Sequence, residues 1–172
     1  MKNNLPNIDD TYTILIDSPI GKIGVRYAKD FIYNVYFENE IDFVENYKHN
    51  SLSKAIKMQF KEYFSRNKTI IDLPYKLNTP PFSFNCLTEL KKVRYGSITT
   101  YKEIAIAVGN PKAARAVGNV MNKNPIPIII PCHRVVGVSG KLVGFSGGLE
   151  RKQWLLNFEK NIINNNNVMP QQ

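Results

Sequence analysis

The run Ile130-Pro131-Cys132-His133-Arg134-Val135-Val136 sets residue types capable of chemistry side by side. A thiol is mostly protonated at neutral pH, and only the thiolate is a good nucleophile. An imidazole and a guanidinium next to it favour the thiolate. Adjacent side chains on an extended segment point to opposite faces. Cys132 and His133 therefore cooperate only where the backbone bends or a water bridges them. On the residues alone two readings stand level: an activated nucleophile with its base, or a small buried hydrophobe beside a structural histidine.

Other chemistry is sparse. The chain has two cysteines, Cys86 and Cys132, and two histidines, His49 and His133. A structural zinc site would need all four to converge, so no metal is expected. Two distant cysteines without a CxxC pair make no disulfide framework. Neither the phosphate-cradling GxxxxGK[ST] pattern nor GxGxxG occurs, so no nucleotide cofactor is expected. The segment Met1–Pro6 lacks an apolar signal core, and no apolar stretch approaches the roughly 18 residues of a membrane span. A cytoplasmic protein with reduced thiols, off the membrane, is expected.

The elements that must position the motif fall into two parts. Thr11–Ser18, Gly24–Ala28 and Phe31–Glu38 are rich in Ile, Val, Tyr and Phe with partial alternation, which predicts an antiparallel meander. Ser51–Arg66 places Ile56, Phe60, Tyr63 and Phe64 on one helical face. Residues 67–81, with Pro74, Pro80 and Pro81, form a candidate linker. Beyond it, Phe82, Leu87, Leu90 and Val93 stand at helical spacing. Thr100 and Glu103 form a capping box ahead of a short helix with Ile104, Ala105 and Val108 on its apolar side. Gly109 breaks that helix, and Asn110 with Pro111 suits the start of the next. This pair is a helix-turn-helix candidate, with Arg115 projecting among small residues on the second helix. A final helix is predicted over Leu149–Lys160, and residues 161–172, with four consecutive asparagines, are predicted to be a disordered tail.

Pro131-Cys132-His133-Arg134-Val135-Val136 resembles the active-site motif of the O6-alkylguanine-DNA alkyltransferases, the methylated-DNA–protein-cysteine methyltransferases. Tyr95-Gly96, Thr100-Tyr101, the run from Gly109 to Gly118, Asn124-Pro125, Phe145-Ser146-Gly147-Gly148 and the run from Lys152 to Leu156 match that family as well. The likeness covers essentially residues 80–160. The first half resembles the family only in length and in its sheet-plus-helix pattern.

The resemblance implies a suicide repair protein that flips O6-alkylguanine out of a DNA duplex and transfers the alkyl group to Cys132. Acceptance of O4-alkylthymine is left open. Each molecule would react once, as a monomer, without a cofactor. His133 would take the thiol proton through a water, Glu159 would hold the imidazole, and Asn124 would hold the segment bearing the cysteine. Tyr101 would donate to the leaving base, and the Ser146 N–H would bond its O6. The carbonyls of Cys132 and Val135 would take the exocyclic amine. Met121, Val136 and Phe145 would complete the pocket. Arg115 would fill the gap left by the flipped base, with Ala114, Gly118 and Thr100 along the DNA. Phe145 stands where some members carry Tyr, and the zinc ligands of some animal members have no counterpart. Cys86 reads as structural.

Together these readings predict an α+β protein. A small sheet-plus-helix domain (1–78) precedes a mostly helical domain with a helix-turn-helix (79–160). The net charge of +9 supports the division. Residues 1–78 hold 11 basic and 10 acidic side chains, and residues 79–172 hold 12 and 4. A surplus confined to the half with Cys132 points to a polyanion partner. Two alternatives remain: a non-catalytic lesion-binding relative, in which the cysteine is replaced, and a helix-turn-helix transcription regulator.

Overall fold

The computed structural model describes Pro6, residues 10–38 and residues 44–166, the last six by backbone alone. The chain is a mixed α+β protein, and it divides into two compact units. Among the described residues, one holds those up to Phe84 together with Pro125–Ile129, and the other holds Asn85–Asn124 together with those from Ile130 onward.

In the first unit, β1 (Tyr12–Ile16), β2 (Ile23–Ala28) and β3 (Phe31–Phe37) form an antiparallel meander in that order. Gly21, at φ 94°, supplies the left-handed turn between β1 and β2 that other residues adopt only with strain. Ile14, Ile23, Val25, Tyr27, Ile32, Val35 and Phe37 are buried from the three strands. Helix α1 (Ser51–Phe64) packs on β1 and begins with a capping box between Asn50 and Ser53. Its buried stripe, Leu52, Ile56, Phe60 and Tyr63, keeps helical spacing.

The predicted linker is part of this unit. Ile71 and Leu73 are buried, the Ile32 N–H donates to the Pro74 carbonyl, and the Lys76 N–H donates to the Ile32 carbonyl. The prolines exclude regular structure there without excluding packing, because two flanking backbone groups still pair with β3. The unit also takes in Pro125–Ile129, whose first carbonyl accepts from the Val35 N–H at 2.8 Å. Helix α2 (Pro81–Lys91) is one continuous element, so the division between units falls within it, at 84/85, and not at 78/79.

The second unit holds the rest of α2, β4 (Thr99–Thr100), α3 (Tyr101–Ala107), α4 (Ala114–Asn122), β5 (Val135–Val136) and α5 (Leu149–Asn166). Strands β4 and β5 pair in parallel, Thr99 with Val135 and Thr100 with Val136. The predicted cap at α3 is present: the Thr100 hydroxyl accepts from the Glu103 N–H, and the Glu103 carboxylate accepts from the Thr100 N–H. The predicted start of α4 is not. Asn110 does not cap it and Pro111 is not its first residue. The Asn110 carbonyl accepts the Ala113 N–H, closing a turn, and the helix starts at Ala114 without a side-chain cap.

Helix α5 also departs from expectation. Its backbone is helical to Asn166, six residues past the expected end, so residues 161–166 are not the predicted disordered tail. Each added residue extends an existing hydrogen-bond ladder, which outweighs the modest helix propensity of asparagine. Residues 167–172 lie outside the described residues. No described helix is long and apolar enough to cross a membrane.

Candidate active site

The backbone bends where the cysteine motif requires it. Pro131 takes φ −84° and ψ 66°, and Cys132–Arg134 form a single 3-10 turn leading into β5. The Ile130 carbonyl accepts from the Cys132 N–H at 2.9 Å and from Asn124 Nδ2 at 2.7 Å. Buried Asn124, two residues past α4, thereby holds Ile130, two residues before the turn. The turn is tightly enclosed: Cys132 is 3% exposed and His133 is fully buried.

Helix α5 supplies the partner of the histidine. His133 Nε2 lies 2.8 Å from Glu159 Oε1. A carboxylate only accepts, so the imidazole proton sits on Nε2 and Nδ1 carries the lone pair. Nδ1 makes no hydrogen bond among the described residues. Arg134 grips the same carboxylate with a fork, Nε to Oε2 and Nη2 to Oε1, both at 2.9 Å. The Gly96 N–H adds a bond to Oε2 at 3.0 Å. Gly96 reaches this position at φ 69°, a conformation natural for glycine.

These contacts set the charges. Burial pushes the Glu159 carboxyl up, but hydrogen bonds and charge from His133 and Arg134 more than reverse that and hold it well below the usual carboxylate range. Burial pushes the His133 imidazole below its ordinary value, against the opposing pull of Glu159. The resting histidine is therefore neutral, as a base must be.

Lys152 stands two turns before Glu159 on the buried face of α5, with no solvent exposure. Its ammonium donates to the Val143 carbonyl at 2.9 Å and the Gly144 carbonyl at 3.3 Å, and it lies 3.4 Å from the Tyr101 hydroxyl. Burial lowers its pKa to about 8, while the charge of Cys132 works the other way. Tyr101 donates to the Val143 carbonyl at 2.6 Å. Burial, then the charge of Cys132, raises its pKa. Thiol, phenol and ammonium are thus electrostatically coupled.

A cavity of about 520 Å³ opens beside Tyr101, walled by Ala114, Arg115 and Gly118 of α4 and by Gly137, Val138, Val143 and Gly144 of the loop after β5. Arg115 is exposed on the first turn of α4. An added Cβ at Gly118 would meet the Tyr101 ring at 3.9 Å.

A family model described as the DNA-binding domain of 6-O-methylguanine DNA methyltransferase matches residues 81–161. The methylated-DNA–protein-cysteine methyltransferase of Methanosarcina barkeri is 38% identical over 157 residues, 87% of this chain and 98% of its own. The chain belongs to this family. The constitutive methylated-DNA–protein-cysteine methyltransferase of Bacillus subtilis is 35% identical over 158 residues, 87% of this chain and 95% of its own. Among solved structures, Mycobacterium tuberculosis OGT in complex with DNA has a TM-score of 0.79 at 36% identity, covering 88% of this chain and 92% of that one.

The residues that the family motifs single out do not all line one space. Cys132, His133, Glu159 and Asn124 cluster around the 3-10 turn. Tyr101, Ala114, Arg115 and Gly118 line the large cavity. Met121, Val135, Val136 and Phe145 do not line that cavity; they are buried, Val135 and Val136 because β5 pairs with β4. Val136 instead borders a separate cavity of about 310 Å³ together with Glu159. Ser146 is half-buried and also outside the large cavity. The Thr100 hydroxyl is engaged by the α3 cap.

Two contributors escaped sequence reasoning: Lys152 and the grip of Arg134. The sequence offered Arg134 only as a guanidinium favouring the thiolate, and Lys152 only as the start of a family motif run. For Lys152 a signal was available, since Lys152, Leu155 and Glu159 recur at helical spacing and share the buried face of α5.

Proposed function

We propose that this member of the methylated-DNA–protein-cysteine methyltransferase family repairs DNA by moving the alkyl group of O6-alkylguanine onto Cys132, once per molecule. The observation that carries this reading is a buried His133, in the same turn as a buried cysteine, paired with buried Glu159 of α5. The free Nδ1 lone pair of His133 is a base suited to a thiol.

In the reaction, His133 Nδ1 takes the thiol proton through a bridging water. Glu159 stabilises the imidazolium, as the third member of a triad does. The thiolate attacks the alkyl carbon in line: the S–C bond forms and the bond from carbon to O6 breaks. Tyr101 exchanges the Val143 carbonyl for a ring nitrogen of the base and donates its proton, so guanine leaves neutral. The imidazolium proton then restores the phenol, and the net transfer carries the thiol proton to guanine. A thioether has no route back to the thiol, so the protein is spent. The Ser146 N–H and the carbonyls of Cys132 and Val135 read the base edge, with Met121, Val136 and Phe145 as apolar support.

Residues 79–160 carry DNA binding and alkyl transfer, and the sheet unit supports them. Helices α3 and α4, which pack together, act as a helix-turn-helix whose second helix enters the minor groove. Ala114 and Gly118 are small enough for that narrow groove. Arg115 fills the vacated stack and offsets part of the few kcal/mol that unstacking costs. The excess of basic residues after residue 78 contacts phosphates without regard to sequence.

The test is a titration of a duplex containing O6-methylguanine against the protein. Repair plateaus at one lesion per chain, and Cys132→Ala repairs none. Multiple turnovers, or repair by Cys132→Ala, would refute the reading.

A further inference from the structure

Arg134 is a cation with almost no exposure, and its donors have two destinations. Nε and Nη2 fork onto Glu159, while Nη1 donates to the Val93 carbonyl at 2.6 Å. The guanidinium also lies 5.6 Å from the Tyr95 ring centroid. We propose that Arg134 is a positioning residue for alkyl transfer: by gripping Glu159 it fixes the orientation and the tautomer of the His133 ring that takes the thiol proton. The inference rests on the reading of Cys132 as the alkyl acceptor and His133 as its base.

A carboxylate held by one hydrogen bond can rotate and offer either oxygen. A planar fork fixes both oxygens at once, and only arginine provides it. The bond to Val93 and the ring contact anchor the guanidinium in turn, so the order runs from α2's C-terminal flank through Arg134 and Glu159 to His133. With Oε2 occupied by Arg134 Nε and the Gly96 N–H, Oε1 faces the imidazole. The Nε2–H tautomer follows, and Nδ1 is left basic.

Charge supports the same role. A lone buried carboxylate would raise the imidazole pKa and leave the base protonated. The charged groups acting on His133 are Glu159 and Lys152 from α5 and Arg134 from its own turn, while Tyr101 of α3 is coupled to Cys132 next to it. Arg134 and Lys152 oppose the pull of Glu159, and burial adds to their effect.

The experiment is an NMR titration of histidine-labelled protein alongside single-turnover rates against pH. With two histidines in the chain, His133 and His49 are separable. In the wild type, His133 titrates below an ordinary histidine as the Nε2–H tautomer. Arg134→Gln raises that titration by about one pH unit and carries the acid limb of the rate with it. Arg134→Lys restores the titration but not the rate, which stays about tenfold low because an ammonium cannot fork. The proposal is overturned if Arg134→Gln folds and leaves the titration and the acid limb in place. Should that variant not fold, wild-type His133 titrating above an ordinary histidine, or as the Nδ1–H tautomer, overturns it. The titration needs no substrate, so these results stand apart from a failure of the wild type to alkylate Cys132.

Discussion

The two units bury different things. The first encloses a meander and a helix with an almost wholly apolar core, in which the buried polar residues, among those described, are Ser53 and Gln59. The second buries Asn124, His133, Arg134, Lys152 and Glu159. Gln59 satisfies itself locally by exchanging two hydrogen bonds with the Asp72 backbone. The charged set of the second unit is interdependent, because each member is tolerable only beside its neighbours. Buried ion pairs contribute little net stability, and breaking one is costly. The proposed transfer chemistry would use such a buried charged set, and among the described residues the first unit buries no charged side chain.

Substitutions in each unit test that contrast. The largest effect is expected for Glu159→Ala, which leaves Arg134 buried without its counter-charge. It should lower stability by about 3–5 kcal/mol and abolish transfer. The matched change in the first unit, Gln59→Ala, should cost only about 1–3 kcal/mol and leave transfer by the folded fraction intact. Urea denaturation with single-turnover assays compares the two.

Acid should also separate the units. The folded pKa of His133 lies below its unfolded value, so the unfolded chain binds more protons and stability falls as pH drops below about 6.5. Glu159 works in the same direction at lower pH, below the ordinary carboxylate range. Hydrogen exchange should therefore show the second unit losing protection on acidification while the meander keeps its own. Lys152 acts at the alkaline end. It loses its proton near pH 8 in the fold and near 10.5 in the unfolded chain, so stability rises with pH across that window.

Arg115→Ala should slow repair of duplex DNA roughly tenfold, about 1.4 kcal/mol, and leave reaction with free O6-benzylguanine nearly unchanged, because only the duplex needs a filled stack. Equal losses on both substrates would remove the stack-filling role. The smallest effect is expected at the α3 cap. Thr100→Ala should cost about 1 kcal/mol in thermal unfolding and leave transfer on the free base intact.

How far the sequence revealed the fold and the site depended on the range of the forces involved. The meander, α1 and the Thr100–Glu103 box follow from alternation, helical spacing and local hydrogen bonding, and all three are present. The Asn110–Pro111 cap obeyed the same local rules and lost to a turn closed by the Ala113 N–H. Pro125–Ile129 joins the first unit through a bond to Val35, a pairing 90 residues away in the chain that no local pattern encodes. The cysteine turn was visible as a motif. Its supports were less so, since Arg134 and Lys152 are buried by partners that the sequence does not name. Met121, Val135, Val136 and Phe145 are apolar and buried, a condition that pocket walls and cores share.

The most direct test of the account is the intact mass of the protein after incubation with duplex DNA carrying O6-methylguanine, followed by peptide mapping. Alkyl transfer to Cys132 gives one species heavier by a single CH2 unit, with the added methyl on the peptide containing Cys132 and none on the peptide containing Cys86. An unchanged mass, or a methyl group on any other residue, would contradict it.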